Sequence, residues 1–305
     1  MEIFYELAIK ICFLYSFIFM GFVMTKVFDL KLHDTSKMLI YLVAPVVVFF
    51  GGYNVDINVS VLFAPVLLFF IFTFILYFSF YLLKLLGRGE NKRILSYVCA
   101  STNAGYLGIP IAIFIFDEAS IYILSCVGIM MATSSVGVYL ISRGKYSLKQ
   151  SLINTFSIPL IYMVLLGLVL NYNEVKLPET ILMYENYFKY SYSFLGMFIA
   201  GIALGQIKKI EFDKFFIFWS LFFSYIIWPV VVFGVIYIDG LFLDLLYPEL
   251  EKVFILISIL PMAAVVIPYA SIFNYNVDKI AFTLVINTLF AVLYLPVMIY
   301  LLGLS

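Results

Sequence analysis

Residues 100–120 read ASTNAGYLGIPIAIFIFDEAS. Most of this stretch is apolar enough to sit inside a bilayer as a helix, yet Gly105, Gly108 and Pro110 fall in its middle. A proline inside a helix removes one N–H and clashes with the preceding turn, and glycine lowers helix propensity further, so the helix is expected to break near these residues. Unwound backbone is tolerated at membrane depth only where it is buried in protein or lines a wet cavity. A second stretch, residues 259–278, reads ILPMAAVVIPYASIFNYNVD and carries Pro261 and Pro268. Aligning Pro110 with Pro268 sets IPIAIF against IPYASIF at an offset of 158 residues, about half the chain. Paired hydrophobic segments broken by Gly or Pro in corresponding positions of two halves point to the binding site of a secondary transporter.

Composition supports this reading. Of 305 residues, 65% are hydrophobic and only 12% charged, with a mean hydropathy of +1.12; a soluble domain is about 45–50% apolar and about 25% charged. Lipid is the solvent that accommodates such a chain. The 18 basic and 18 acidic residues cancel, so no basic surface suggests nucleic acid. Cys12, Cys99 and Cys126 fall in apolar stretches without a CxxC pair and read as small packing residues. The first apolar stretch follows two glutamates and lacks a small-residue cleavage site, so it reads as a retained helix.

Ten stretches are long and apolar enough to span: 7–25, 38–52, 61–86, 94–116, 119–142, 151–170, 190–207, 215–238, 253–273 and 280–304. Fourteen of the eighteen Lys and Arg residues follow the odd-numbered stretches, among them Lys26, Lys84, Arg143, Lys208 and Lys279. Cytoplasmic connections retain positive charge, so both termini are expected outside the cell membrane. The fold expected is an all-α integral membrane protein of ten transmembrane helices, built as two inverted five-helix repeats over 1–146 and 147–305, with helices four and nine broken where they cross. An odd number of spans per half forces the second repeat to be inverted.

Half-helix N-termini present unpaired N–H groups and positive dipole ends, which suit a carboxylate or another anion. Asn103, beside Thr102 and ahead of Gly105 and Gly108, is the leading candidate for substrate contact. Asn287 and Thr288 in the middle of the last span are further candidates, as are Thr133, Ser134 and Ser135 in span five, and Pro110, Pro261 and Pro268 mark the crossover. Small polar residues also occur at packed helix interfaces, which is the competing reading for each. Glu6 and Lys10 stand at i,i+4 spacing and read as a local ion pair. No Asp or Glu falls in the middle of any span, which argues against a buried carboxylate relaying protons. The only histidine, His33, lies in a connection, and neither a GxSG motif nor a GxxxxGK[ST] loop occurs, so no catalytic residue, metal or cofactor is expected. A channel or a receptor scaffold is the alternative to a carrier, and paired breaks favour alternating access.

The segment TNAGYLGIP, at residues 102–110, resembles the fourth-helix motif of the auxin efflux carrier family, with Asn103, Gly105, Tyr106, Gly108 and Pro110 matching position by position. The stretch from Leu260 and Pro261 through PYASIFNYNVD to Thr288 and Pro296 is similar to that family's last two helices, and YLVAPVVVFF around Pro45 to its second. The family includes plant auxin exporters and prokaryotic carriers of malate or malonate. The resemblance implies a scaffold of helices 1, 2, 6 and 7, a transport domain of the rest, an elevator-like motion, a homodimer and a small organic anion as substrate. Two positions depart from the pattern. Val265 stands where many relatives carry Asn, and Phe194 stands near the expected proline of helix seven.

Overall fold

The computed structural model describes residues 2–87, 92–116, 119–142, 147, 149–150, 153, 157, 159–207 and 211–304. Among the described residues the chain is helical with no strand, apart from one isolated bridge pair. The helices are α1 (Glu2–Phe28), α2 (32–54), α3 (Val59–Leu85), α4a (Lys92–Ala100), α4b (Ala104–Ile115), α5 (Ser120–Ile141), α6 (Leu160–Tyr172), α7 (Tyr184–Gly205), α8 (Lys214–Phe242), α9a (Pro248–Ser258), α9b (Val266–Ile272) and α10 (Val277–Leu301). Asp34–Asn54 in α2 together with α3, α5, α8 and α10 are long and apolar enough to cross a membrane, and Cys12–Phe28, α4b and α6 are shorter apolar helices. The protein is therefore a multi-pass, all-helical membrane protein. Large side chains such as Phe19, Phe70, Val230 and Leu293 face outward, which lipid accommodates and water would not. The side chains of Glu6, Lys10 and His33 lie outside the described residues.

Three prolines stand just after a widened helical turn. Four helices contain a five-residue π turn, Leu39–Val43 in α2, Ala104–Gly108 in α4b, Thr133–Gly137 in α5 and Phe223–Ile227 in α8. Three of these end two residues before a proline: Pro45, Pro110 and Pro229. A proline ring clashes with the carbonyl four residues back, and a widened turn moves that carbonyl aside. Pro159 caps the start of α6.

Glycines let selected helices approach closely. A Cβ on Gly21 or Gly201 would overlap the facing backbone of α7 or α1, and one on Gly167 the carbonyl of Phe49 in α2. A Cβ on Gly52 would lie 2.7 Å from the Val164 carbonyl of α6. The pairs α1–α7 and α2–α6 are thus locked backbone to backbone. Beyond the end of α2, Asn171 donates to the carbonyls of Gly52 (3.2 Å) and Val55 (2.6 Å), Tyr53 donates to Val175 (3.0 Å) and Asn54 to Glu185 (2.8 Å). Glu185 also pairs with Lys189.

Candidate functional site

The two broken helices meet through their backbones. The helix is lost between α4a and α4b at 101–103, just ahead of the glycines, and between α9a and α9b over 259–265. Thr102 and Met262 pair as an antiparallel bridge. The Asn103 N–H donates to the Pro261 carbonyl at 2.8 Å and the Ala263 N–H to the Ser101 carbonyl at 2.8 Å. Each break thereby satisfies buried polar groups of the other. The pairing centres on residues 160 apart (262 − 102), two more than the proline alignment suggests. Pro268 stands in the first turn of α9b, where a missing N–H costs nothing, whereas Pro110 follows the π turn that opens α4b.

The side chains around the bridge divide into those that hold it and those left free. The Thr102 hydroxyl donates to the Ile257 carbonyl at 3.0 Å, satisfying an otherwise orphan carbonyl in the last turn of α9a. Gly108 is a packing residue, because a Cβ there would overlap the Tyr122 hydroxyl and lie 2.7 Å from Leu260. The hydroxyl of Tyr122 donates to the Ala104 carbonyl at 3.0 Å, steadying the start of α4b. Asn103 is buried, and no hydrogen bond engages its amide among the described residues.

Asn103 faces a cavity of about 90 Å³. A water needs about 10–15 Å³ by this measure, so the space admits several waters or one small solute. Polar side chains at the wall are Thr102, Asn103, Thr133 and Ser134; Gly105 and Tyr106 add the first turn of α4b, whose N–H groups have no partner within the helix. Apolar wall comes from Ile40, Met130, Leu160 and Val265, among others, and Tyr269 completes it. Among the described residues no carboxylate and no ammonium lies on the wall. The hydroxyls of Thr133 and Ser134 donate to carbonyls of their own helix at 2.7 and 2.8 Å, so Asn103 holds the one uncommitted side-chain amide among the lining residues. From the bridge the cavity runs toward the starts of α2 and α6, at Ile40, Leu160 and Ile161.

Of the residues singled out in the sequence, Thr102, Asn103 and Gly105 lie on the cavity wall, with Thr133 and Ser134. Gly108, Asn287 and Thr288 are buried but stand off it, and Ser135 donates to Met131. Asn287 accepts from the Met262 N–H at 3.1 Å, a contact across 25 residues that no motif announces. Among the described residues no group of three or more His, Cys, Asp or Glu is arranged to hold a metal.

Residues 194–304 match the family model of the Sodium Bile acid symporter family. That span covers the second half of α7, all of α8 to α10, and the α9 break with its Asn287 contact. It amounts to about a third of the chain, and it supports a membrane transporter and not an enzyme. No curated protein matches the chain. The match corrects the resemblance to the auxin efflux carrier family, since the model that fits describes a different family. The motif behind that resemblance, at 102–110, lies outside the matched residues. Within it, Gly108 answers to close packing against Tyr122 and Leu260, and Pro110 to the π turn ahead of it, so these two carry little about lineage.

Proposed function

We propose that this protein is a secondary transporter that moves a small organic anion, a carboxylate, by alternating access at the crossover. The observation that supports it is the cavity beside the bridged breaks, with the free Asn103 amide and the first turn of α4b at one end and no charged side chain among its described lining residues. An anion there meets amide donors and a positive helix end, the arrangement that discontinuous helices give in transporters. The remaining wall is largely apolar, which favours a carboxylate carrying an apolar body over a dicarboxylate such as malate. The matched family, named for sodium and bile acid, favours the same class and makes sodium the cation to test.

In this reading ten spans form two inverted halves, 1–146 and 147–305, in the cell membrane with both termini outside. The close pairs α1–α7 and α2–α6 form a scaffold, and a homodimer through it is compatible with their outward apolar faces. The cavity then runs toward the cytoplasm. A channel is the alternative, and it predicts unitary conductance steps in place of saturable flux.

The test is electrogenic uptake into proteoliposomes, with and without sodium, of indole-3-acetate, hexanoate, malate and malonate, with Asn103→Ala in parallel. Indole-3-acetate or hexanoate is expected to give saturable currents, with apparent affinity about 10-fold or more weaker in Asn103→Ala, the scale of one hydrogen bond to a charged group. Currents indifferent to the substitution place the site elsewhere, and a preference for malate overturns the substrate class.

A further inference from the structure

Along an extended segment successive N–H groups point to opposite sides. Asn103 and Ala263 direct theirs across the crossover, at the opposite break. Met262, directly opposite Thr102, therefore directs its N–H away from α4, into an interior where water offers no partner. The acceptor it meets is Oδ1 of Asn287, at 3.1 Å, from the middle of α10. Asn287 is completely buried. Its Nδ2 donates to Oγ of Ser220 in α8 at 3.0 Å, and the Ser220 hydroxyl lies 3.5 Å from Sδ of Met262. The Tyr225 hydroxyl of α8 donates to the Asn287 backbone carbonyl at 2.7 Å. Both ends of the amide are thus committed to protein, and the side chain stands off the cavity wall.

We infer that Asn287 is a positioning residue of the crossover: it takes the place of a neighbouring strand for Met262, holding the α9 break extended in the register that pairs with Thr102 and so sets where Asn103 points. It does not touch the substrate. Its effect on transport rests on the functional reading above, whereas its effect on the break does not.

Asn287→Leu keeps the branched shape of the side chain, with bulkier methyl ends, but leaves the Met262 N–H without an acceptor. Asn287→Asp keeps that acceptor, and the Ser220 hydroxyl can reverse and donate to the second carboxyl oxygen. Hydrogen–deuterium exchange of the full chain in nanodiscs separates the cases. In Asn287→Leu, exchange is expected to rise about 10-fold or more over 259–265 and 101–104 together, the scale of one lost buried hydrogen bond, with α1–α7 unchanged. Asn287→Asp should restore protection at both segments. In the uptake assay with indole-3-acetate, Asn287→Leu should raise KM about 10-fold with a smaller change in maximal rate, and Asn287→Asp should recover most of the affinity.

Unchanged exchange over 259–265, a uniform rise through the whole chain, or equal loosening in both variants overturns the assignment. If the wild type transports none of the probes, the exchange result still decides on Asn287, and the functional reading alone falls.

Discussion

Thr102 and Asn103 are chain neighbours with opposite duties. One closes a hydrogen bond to Ile257 and holds the crossover; the other leaves its amide to the cavity. Composition cannot separate them, because what decides is a carbonyl 155 residues away. Asn287 illustrates the same limit: a polar residue at mid-span was legible, but that it serves a backbone N–H in another broken helix was not. Asp213, at the membrane edge, allows a sharper residue-scale test. It caps α8 by accepting from Phe215 and Phe216 at 3.1 Å each, and Lys279 donates to it at 3.0 Å. Burial opposes its ionisation, but the two backbone donors and the Lys279 charge outweigh it and hold the carboxyl below the usual carboxylate range. A depressed pKa contributes stability above the unfolded value, about 3.9, that is lost as pH falls through the folded value. Asp213→Ala is expected to cost about 1 kcal/mol at neutral pH, mostly from the lost cap, and Asp213→Asn less, because the surface ion pair is weak. Thermal melts should show wild type and Asp213→Ala converging only below about pH 4.

At the scale of elements, hydrophobic length revealed where the helices lie, and Gly with Pro revealed which two are broken. Each break lies a few residues ahead of Pro110 or Pro268: Pro268 sits in the first turn of α9b, and Pro110 just after the π turn that opens α4b. The π turns ahead of Pro45, Pro110 and Pro229 left no signal, because they answer to a steric clash and not to a residue preference. The glycines of α7 were equally silent: Gly201 reads as one small residue among several until α1 is seen against it. Replacing it by Leu should force α1 from α7, because a side chain there overlaps the carbonyl of Ile18. The expected result is a fall in melting temperature of several degrees together with faster proteolysis between α1 and α2, while Gly234→Leu, where a Cβ meets nothing within 4 Å, leaves both unchanged.

For the whole molecule, the charge asymmetry and the cavity make a joint prediction. The cavity runs toward the starts of α2 and α6, which follow lysine-rich stretches of the sequence, and the opposite end is tied by Asn171, Tyr53 and Glu185. In a background with Cys12, Cys99 and Cys126 replaced, Ile161→Cys should react with a membrane-impermeant maleimide from the cytoplasmic side, and Asn173→Cys from outside. Reversed labelling would invert the topology and leave the fold untouched. The bridge at Thr102 and Met262 also bears on how the chain is made. When α4 enters the membrane during synthesis, its exposed backbone at 101–103 has no partner, because the residues that complete it are encoded 160 positions later. At about 5–20 residues per second, the ribosome needs roughly ten to thirty seconds to deliver them. Over that interval the nascent first half carries an unfinished seam, which the insertion machinery or a transient water file must shield until the second half arrives to close it.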